Sequence, residues 1–172
     1  MLSSAEAGDE TMSPRIDALM SALNIKQASD RMLTIRVGNE LSGLKYIKAG
    51  ALTVRHQHMS GDDENNIDDE LTFSNENGEV IALAKVKYKK TARGAQLALF
   101  EELTMNSLPT NLLLERFEVD KTGPGSLCVV DKLKNRVHFI RRNVAVSVRS
   151  GDSKVDVREL ARQMDQILIG ER

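Results

Sequence analysis

The chain has no Trp, and only four Phe and two Tyr among its 172 residues. Sugar-stacking grooves and base-stacking platforms are made of aromatic faces, so both are poorly supplied. A single cysteine, Cys128, excludes an internal disulfide and any multi-cysteine metal site. Neither sign of charge dominates: 24 Lys and Arg stand against 25 Asp and Glu, for a net charge of −1. Dedicated nucleic-acid binders carry a basic excess, so this balance argues against a nucleic-acid partner. No apolar run approaches the roughly 18 residues of a membrane-spanning helix. The N-terminus, MLSSAEAGDETMS, lacks the basic and apolar segments of a signal peptide. The chain therefore reads as soluble, cytoplasmic as it stands and extracytoplasmic if a leader has been trimmed from it. No G-x-S-x-G, H-E-x-x-H, Walker A or dinucleotide fingerprint is present, so no catalytic residue and no cofactor is assigned.

What is present is an ordinary globular composition, 41% hydrophobic and 28% charged, with clear periodicities. Residues 1–12 are small, polar and acidic, and read as a flexible leader to one domain over 13–172. Ser13-Pro14 reads as a cap and first turn, and Ile16, Leu19, Met20 and Leu23 continue a helix over 14–23, with Asn24 as its C′ residue. Leu33, Ile35 and Val37 alternate with polar residues, which predicts a strand. Leu44–Lys48 and Leu52–Met59 are further strand candidates. Residues 93–105 predict a helix with Leu97, Phe100 and Leu103 on its apolar stripe, ended by Leu108-Pro109. Leu112–Val119, Leu127–Asp131, Arg136–Arg141 and Val144–Arg149 predict four strands. Asp156, Val157, Leu160, Ala161, Met164, Ile167 and Gly170 mark a capped final helix. The fold class is thus α+β, with antiparallel strands in one or two curved sheets packed against two or three amphipathic helices.

Two hairpins follow from parity. Val137 and Phe139 are odd-numbered, whereas Val144, Val146 and Val148 are even-numbered. A two-residue loop at Arg142-Asn143 pairs Phe139 with Val146 and Val137 with Val148, gathering the apolar groups on one face; a bulge near Arg141 would also repair the parity. The Asn75–Gly78 turn likewise folds the acidic run over 60–70 back on Lys85, Lys87 and Lys89. Asp68 and Glu70 then lie opposite those lysines, and the two most site-like charge runs neutralise each other.

Three clusters remain as candidate chemistry. His56 and His58 form an H-x-H that, with Asp62, Asp63 and Glu64, supplies candidate metal ligands. Cys128 and His138 lie on neighbouring predicted strands, so a Cys–His pair is conceivable, although a small core hydrophobe is the plainer role for Cys128. Lys132, Lys134, Arg136, Arg141 and Arg142 form a basic region around turns.

The stretch PGSLCVVDKLKNRVHFIRRNVAVSVRS, followed by VDVRELARQMDQIL, resembles a unit of uncharacterised, often exported, bacterial proteins. The residues that carry the likeness are Phe139, Arg141, Asn143 and Val144 in a hairpin, then Asp156, Leu160, Ala161 and Asp165 in a helix. The resemblance implies an extracytoplasmic binding or interaction domain. The expected function is a non-catalytic binding or protein-interaction domain. The alternatives are a carrier of a small apolar ligand (lipid or acyl), with seven Met for adaptable walls, and a small metal-dependent protein. A sheet edge near 32–59 offers a surface for a homodimer.

Overall fold

The structure, a computed structural model, describes residues 14–31, 53–61, 67–105 and 108–170. The leader and the predicted strands at 33–37 and 44–48 lie outside the described residues.

Chain order runs α1 (Pro14–Ala22), β1 (Thr53–Gly61), β2 (Ile67–Ser74), β3 (Val80–Tyr88), α2 (Ala92–Thr104), α3 (Thr110–Arg116), β4 (Phe117–Val119), β5 (Leu127–Asp131), β6 (Arg136–Arg141), β7 (Val144–Ser150) and α4 (Val157–Ile169). The fold is α+β. Among the described residues one open seven-stranded sheet has the order β1-β2-β3-β7-β6-β5-β4, and every neighbouring pair is antiparallel. Two meanders, β1–β3 and β4–β7, thus join along β3 and β7, and the helical connection α2–α3 carries the chain between them.

Both predicted hairpins form in the expected register. Phe139 pairs with Val146 and Val137 with Val148. The turn places Arg142 at φ +53°, a conformation costly for a side chain with a Cβ, yet the apolar register outweighs that local cost. In the other hairpin Asp68 faces Lys87 and Glu70 faces Lys85. Asn75 organises its loop, with Oδ1 accepting from the amides of Asn77 and Glu79. The structure adds a partner that strand periodicity does not show: Glu102 of α2 lies 3.6 Å from Lys85 Nζ and 3.8 Å from Lys87 Nζ, while Lys89 reaches Asp68 at 3.9 Å.

The two sheet faces carry separate cores. On one, Ala84, Val86, Phe139, Val146 and Val148 lie with Leu160, Ala161, Met164 and Leu168 of α4. On the other, Val129, Ile140 and Ala145 lie with α2, α1 and α3. A helix covered over most of its surface carries a broad apolar face, and α2 does: Ala95, Leu97, Ala98, Leu99, Phe100 and Leu103 are all buried, with Glu101 and Glu102 left toward solvent and the β3 lysines. Its buried Gln96 is satisfied by accepting from Ala28 N and donating to Lys26 O, which ties the segment after α1 to α2.

One expectation is corrected. Residues 112–116, predicted as part of a strand over Leu112–Val119, belong to α3, and only Phe117–Val119 is extended. Pro109 (φ −65°, ψ 157°) starts a new helix rather than merely ending the previous one. Consecutive leucines fit either period; Leu113 and Arg116, three apart, are the buried pair that makes helix the better solution here. The described residues therefore hold four helices. Helix α1 packs on α2 and α3. Its C-terminus is as predicted: Asn24 adopts φ +57°, and Ile25 N donates to Met20 O.

Candidate functional site

The likeness-bearing residues of the C-terminal stretch turn out to be structural clamps. Arg141 grips the buried Asp165 through two bonds, Nε to Oδ1 at 2.7 Å and Nη2 to Oδ2 at 2.8 Å. Gly125 N donates to the same Oδ2 at 2.8 Å. Asn143 donates to Lys89 O and, through its own carbonyl, accepts from Lys89 N, joining the β6–β7 turn to the end of β3. Asp156 caps α4 by accepting from the amides of Arg158 and Glu159.

Cys128 and His138 do not pair. Cys128 is registered with Phe139 and His138 with Val129, so the thiol belongs to the α4 face and the imidazole to the α2 face. Burial first, and then the negative charge of Asp120, pushes the Cys128 thiol up to about 12, which leaves it an inert core group. His138 bonds Ser147 Oγ through Nδ1 at 2.8 Å and meets the Phe117 ring edge-on.

Burial pushes His138 down from its ordinary 6.5 to about 4. Between those values the unfolded chain binds a proton that the folded chain excludes, so this group makes stability rise with pH across that window. Acidification from pH 7 to 4 is expected to remove about 3 kcal/mol through this residue alone. His138→Gln should flatten the Tm-against-pH curve between pH 6.5 and 4 relative to the native chain. Equal slopes in the two proteins would contradict this assignment.

Of the metal candidates, His56 and His58 fall on β1, registered with Leu71 and Asp69. Asp62, Asp63 and Glu64 lie outside the described residues. No group of three or more His, Cys, Asp or Glu is placed to hold a metal ion among the described residues. Between α2 and the sheet, where an apolar ligand would need room, the side chains of Leu99, Phe100, Leu103, Ile140 and Ala145 are each at most 5% exposed.

The basic region divides in two. Arg136 and Arg141 lie at opposite ends of β6, about 17 Å apart along an extended strand. Arg141 is engaged by Asp165, and Arg142 is exposed in its turn. Lys132, Lys134 and Arg136, by contrast, border a cleft of about 480 Å³ together with Lys154 and Arg158. The cleft lies where the β5–β6 turn meets the segment leading into α4. Sequence reasoning had the first three of these cations. It missed Lys154 and Arg158, because only the return of the chain after β7 brings them alongside.

The charges around this cleft are unevenly engaged. Asp131 is bound to Arg116, whose Nε and Nη2 reach Oδ2 at 2.9 and 2.8 Å. Its Oδ1 accepts from Leu133 N and Lys134 N, which shapes the turn that carries the lysines. Asp156 is occupied as the α4 cap. Arg158 has Asp120 at 3.5 Å. Lys132, Lys134, Arg136 and Lys154 have no ion-pair partner among the described residues. The lining thus sets five cations, four of them without an ion-pair partner among the described residues, against three acids, of which Asp131 and Asp156 are engaged and Glu118 is exposed, an excess of positive charge suited to holding an anion. No protein-family model, curated protein or solved structure matches the chain.

Proposed function

We propose that this chain is a non-catalytic binding domain whose partner presents negative charge to the cleft between the β5–β6 turn and α4. The observation that carries this reading is the set of four cations, Lys132, Lys134, Arg136 and Lys154, around one concavity without a carboxylate partner among the described residues. The lysines of β3 supply the contrast, since Glu102 and Asp68 answer them within the fold. Clustered like charges repel, and a concave low-dielectric wall strengthens their field at the point where a ligand docks. The resemblance of the C-terminal stretch to exported bacterial proteins supports the same class, a domain that binds rather than transforms. Balanced overall charge and a compact cationic cluster disfavour a nucleic-acid duplex, which needs phosphate contacts along a track.

The test is titration with a labelled poly-Glu peptide at low salt, with a DNA duplex of similar charge as comparator. Poly-Glu is expected to bind more tightly than the duplex. The double variant Lys132→Glu, Lys134→Glu should weaken the peptide by at least about tenfold while leaving Tm nearly unchanged, because both side chains are exposed. Binding indifferent to these substitutions, or preference for the duplex, would sink the reading.

A further inference from the structure

Beside the cleft lies a second, smaller concavity of about 260 Å³, and Arg136 borders both. It is lined by Arg149 and by the aliphatic residues Val80, Ile81 and Leu83. The sheet register explains how it arises. Arg136 of β6 faces Arg149 of β7, and Arg149 in turn faces Leu83 of β3. Two guanidinium side chains are thus placed directly opposite each other on one face, a destabilising arrangement for like charges that Asp131, opposite Arg136 on β5 and bound to Arg116, offsets only in part. The ladder brings them closer still. Ser150 N donates to Asn135 O one step along, so Arg136 and Arg149 form the non-hydrogen-bonded kind of pair, whose side chains approach most nearly. Neither arginine has an ion-pair partner among the described residues. Beside them Val80 is 57% exposed, an aliphatic side chain left in water at the start of β3.

We infer that Arg136 and Arg149 form a carboxylate clamp beside an aliphatic shelf, and that the partner is an acidic polypeptide segment with an aliphatic side chain next to its carboxylate. This inference rests on the cleft reading above and names its partner. Planar guanidinium groups bind carboxylates in a fork, and two of them around one carboxylate remove the repulsion between them. Val80, Ile81 and Leu83 offer an apolar surface to a neighbouring side chain, and no aromatic face on which a base would stack. The two concavities meet at Arg136. One extended segment therefore places a carboxylate in the clamp, an aliphatic group on the shelf and its remaining acids beside Lys132, Lys134 and Lys154. A small inorganic anion uses only a fraction of that surface.

The experiment is fluorescence anisotropy with a labelled peptide of alternating Glu and Leu. Poly-Glu, alternating Gln and Leu, and oligouridylate serve as comparators. The Glu-Leu peptide is expected to bind at least tenfold more tightly than any comparator. Arg149→Gln should weaken it about tenfold, and Arg149→Lys should recover only part of that loss, because lysine keeps the charge without the fork. Val80→Ser should weaken the Glu-Leu peptide and leave poly-Glu unchanged. Both sites are exposed, and a thermal melt of each variant confirms folding. Equal affinity for Glu-Leu and poly-Glu, or indifference to Arg149→Gln, overturns the clamp while the cleft reading stands. Failure of every acidic peptide to respond to Lys132→Glu, Lys134→Glu overturns both. Tighter binding of oligouridylate overturns the polypeptide assignment.

Discussion

Asp131→Ala is expected to destabilise the fold by about 3–5 kcal/mol, read as a shift of the urea-unfolding midpoint. Asp131 is 6% exposed and Arg116 is 7% exposed, so the substitution leaves a guanidinium with little water and no counter-charge. The geometry that makes the pair favourable is demanding. Arg116 reaches Oδ2 through two nitrogens, its guanidinium carbon lies 5.2 Å from the centre of the Phe117 ring, and Oδ1 holds the turn amides of Leu133 and Lys134. A double replacement separates the two contributions. Arg116→Met with Asp131→Leu removes both charges and keeps apolar volume, so its cost should fall well below that of the single variant. What remains is the loss of the turn bonds, on the order of 1 kcal/mol each. A single variant within 1 kcal/mol of the native chain would show that Arg116 finds another outlet. The same carboxylate sets the position of Lys132 and Lys134, so Asp131→Ala should also weaken anion binding at the cleft. Asp131→Asn, which keeps an oxygen for the turn amides, should retain more of that binding than of the stability.

Much of the sheet was legible because its signal is local. Valines and Phe139 alternate with polar residues, and odd and even numbering called for a break near residue 142, either a turn at Arg142-Asn143 or a bulge near Arg141. The Asn75–Gly78 hairpin was legible for the same reason, reinforced by acids meeting lysines. The caps of α1 and α4 were legible because Asn24, Asp156 and Gly170 answer backbone geometry rather than tertiary neighbours. Helix α3 was not, because three consecutive leucines satisfy both periods. What decides between them is the pairing of Arg116 with Asp131, fifteen residues away. The union of β3 with β7 was equally hidden, since no sequence rule couples residue 84 to residue 148. That union creates the Leu83, Arg149, Arg136 ladder, so the second concavity could not be found from spacing. The first was half visible as Lys132, Lys134 and Arg136, mixed with Arg141 and Arg142, which the fold sends to the other end of the strand.

Gly125→Ala is expected to cost about 2–5 kcal/mol, far more than the same change at Gly170, although the two backbones are nearly alike. Gly125 has φ +76° and Gly170 has φ +82°, so each substitution carries a left-handed penalty of about 1–2 kcal/mol. Their surroundings differ. A Cβ on Gly170 meets nothing within 4 Å, whereas on Gly125 it would lie 2.3 Å from Ile140 O and 3.0 Å from the Phe139 ring. Ile140 O cannot simply retreat, because it accepts from Ser126 N at 2.8 Å within the ladder that joins β5 to β6. Gly125 cannot retreat either, because its N–H is bound to Asp165, which Arg141 holds by two further bonds. The overlap must therefore be relieved by loosening α4 or the β5–β6 edge, at the cost typical of an overpacked core. Paired thermal melts should show Gly125→Ala losing several times the Tm that Gly170→Ala loses. Equal losses would mean that the backbone angle alone, and not the contact with Ile140, requires glycine at position 125.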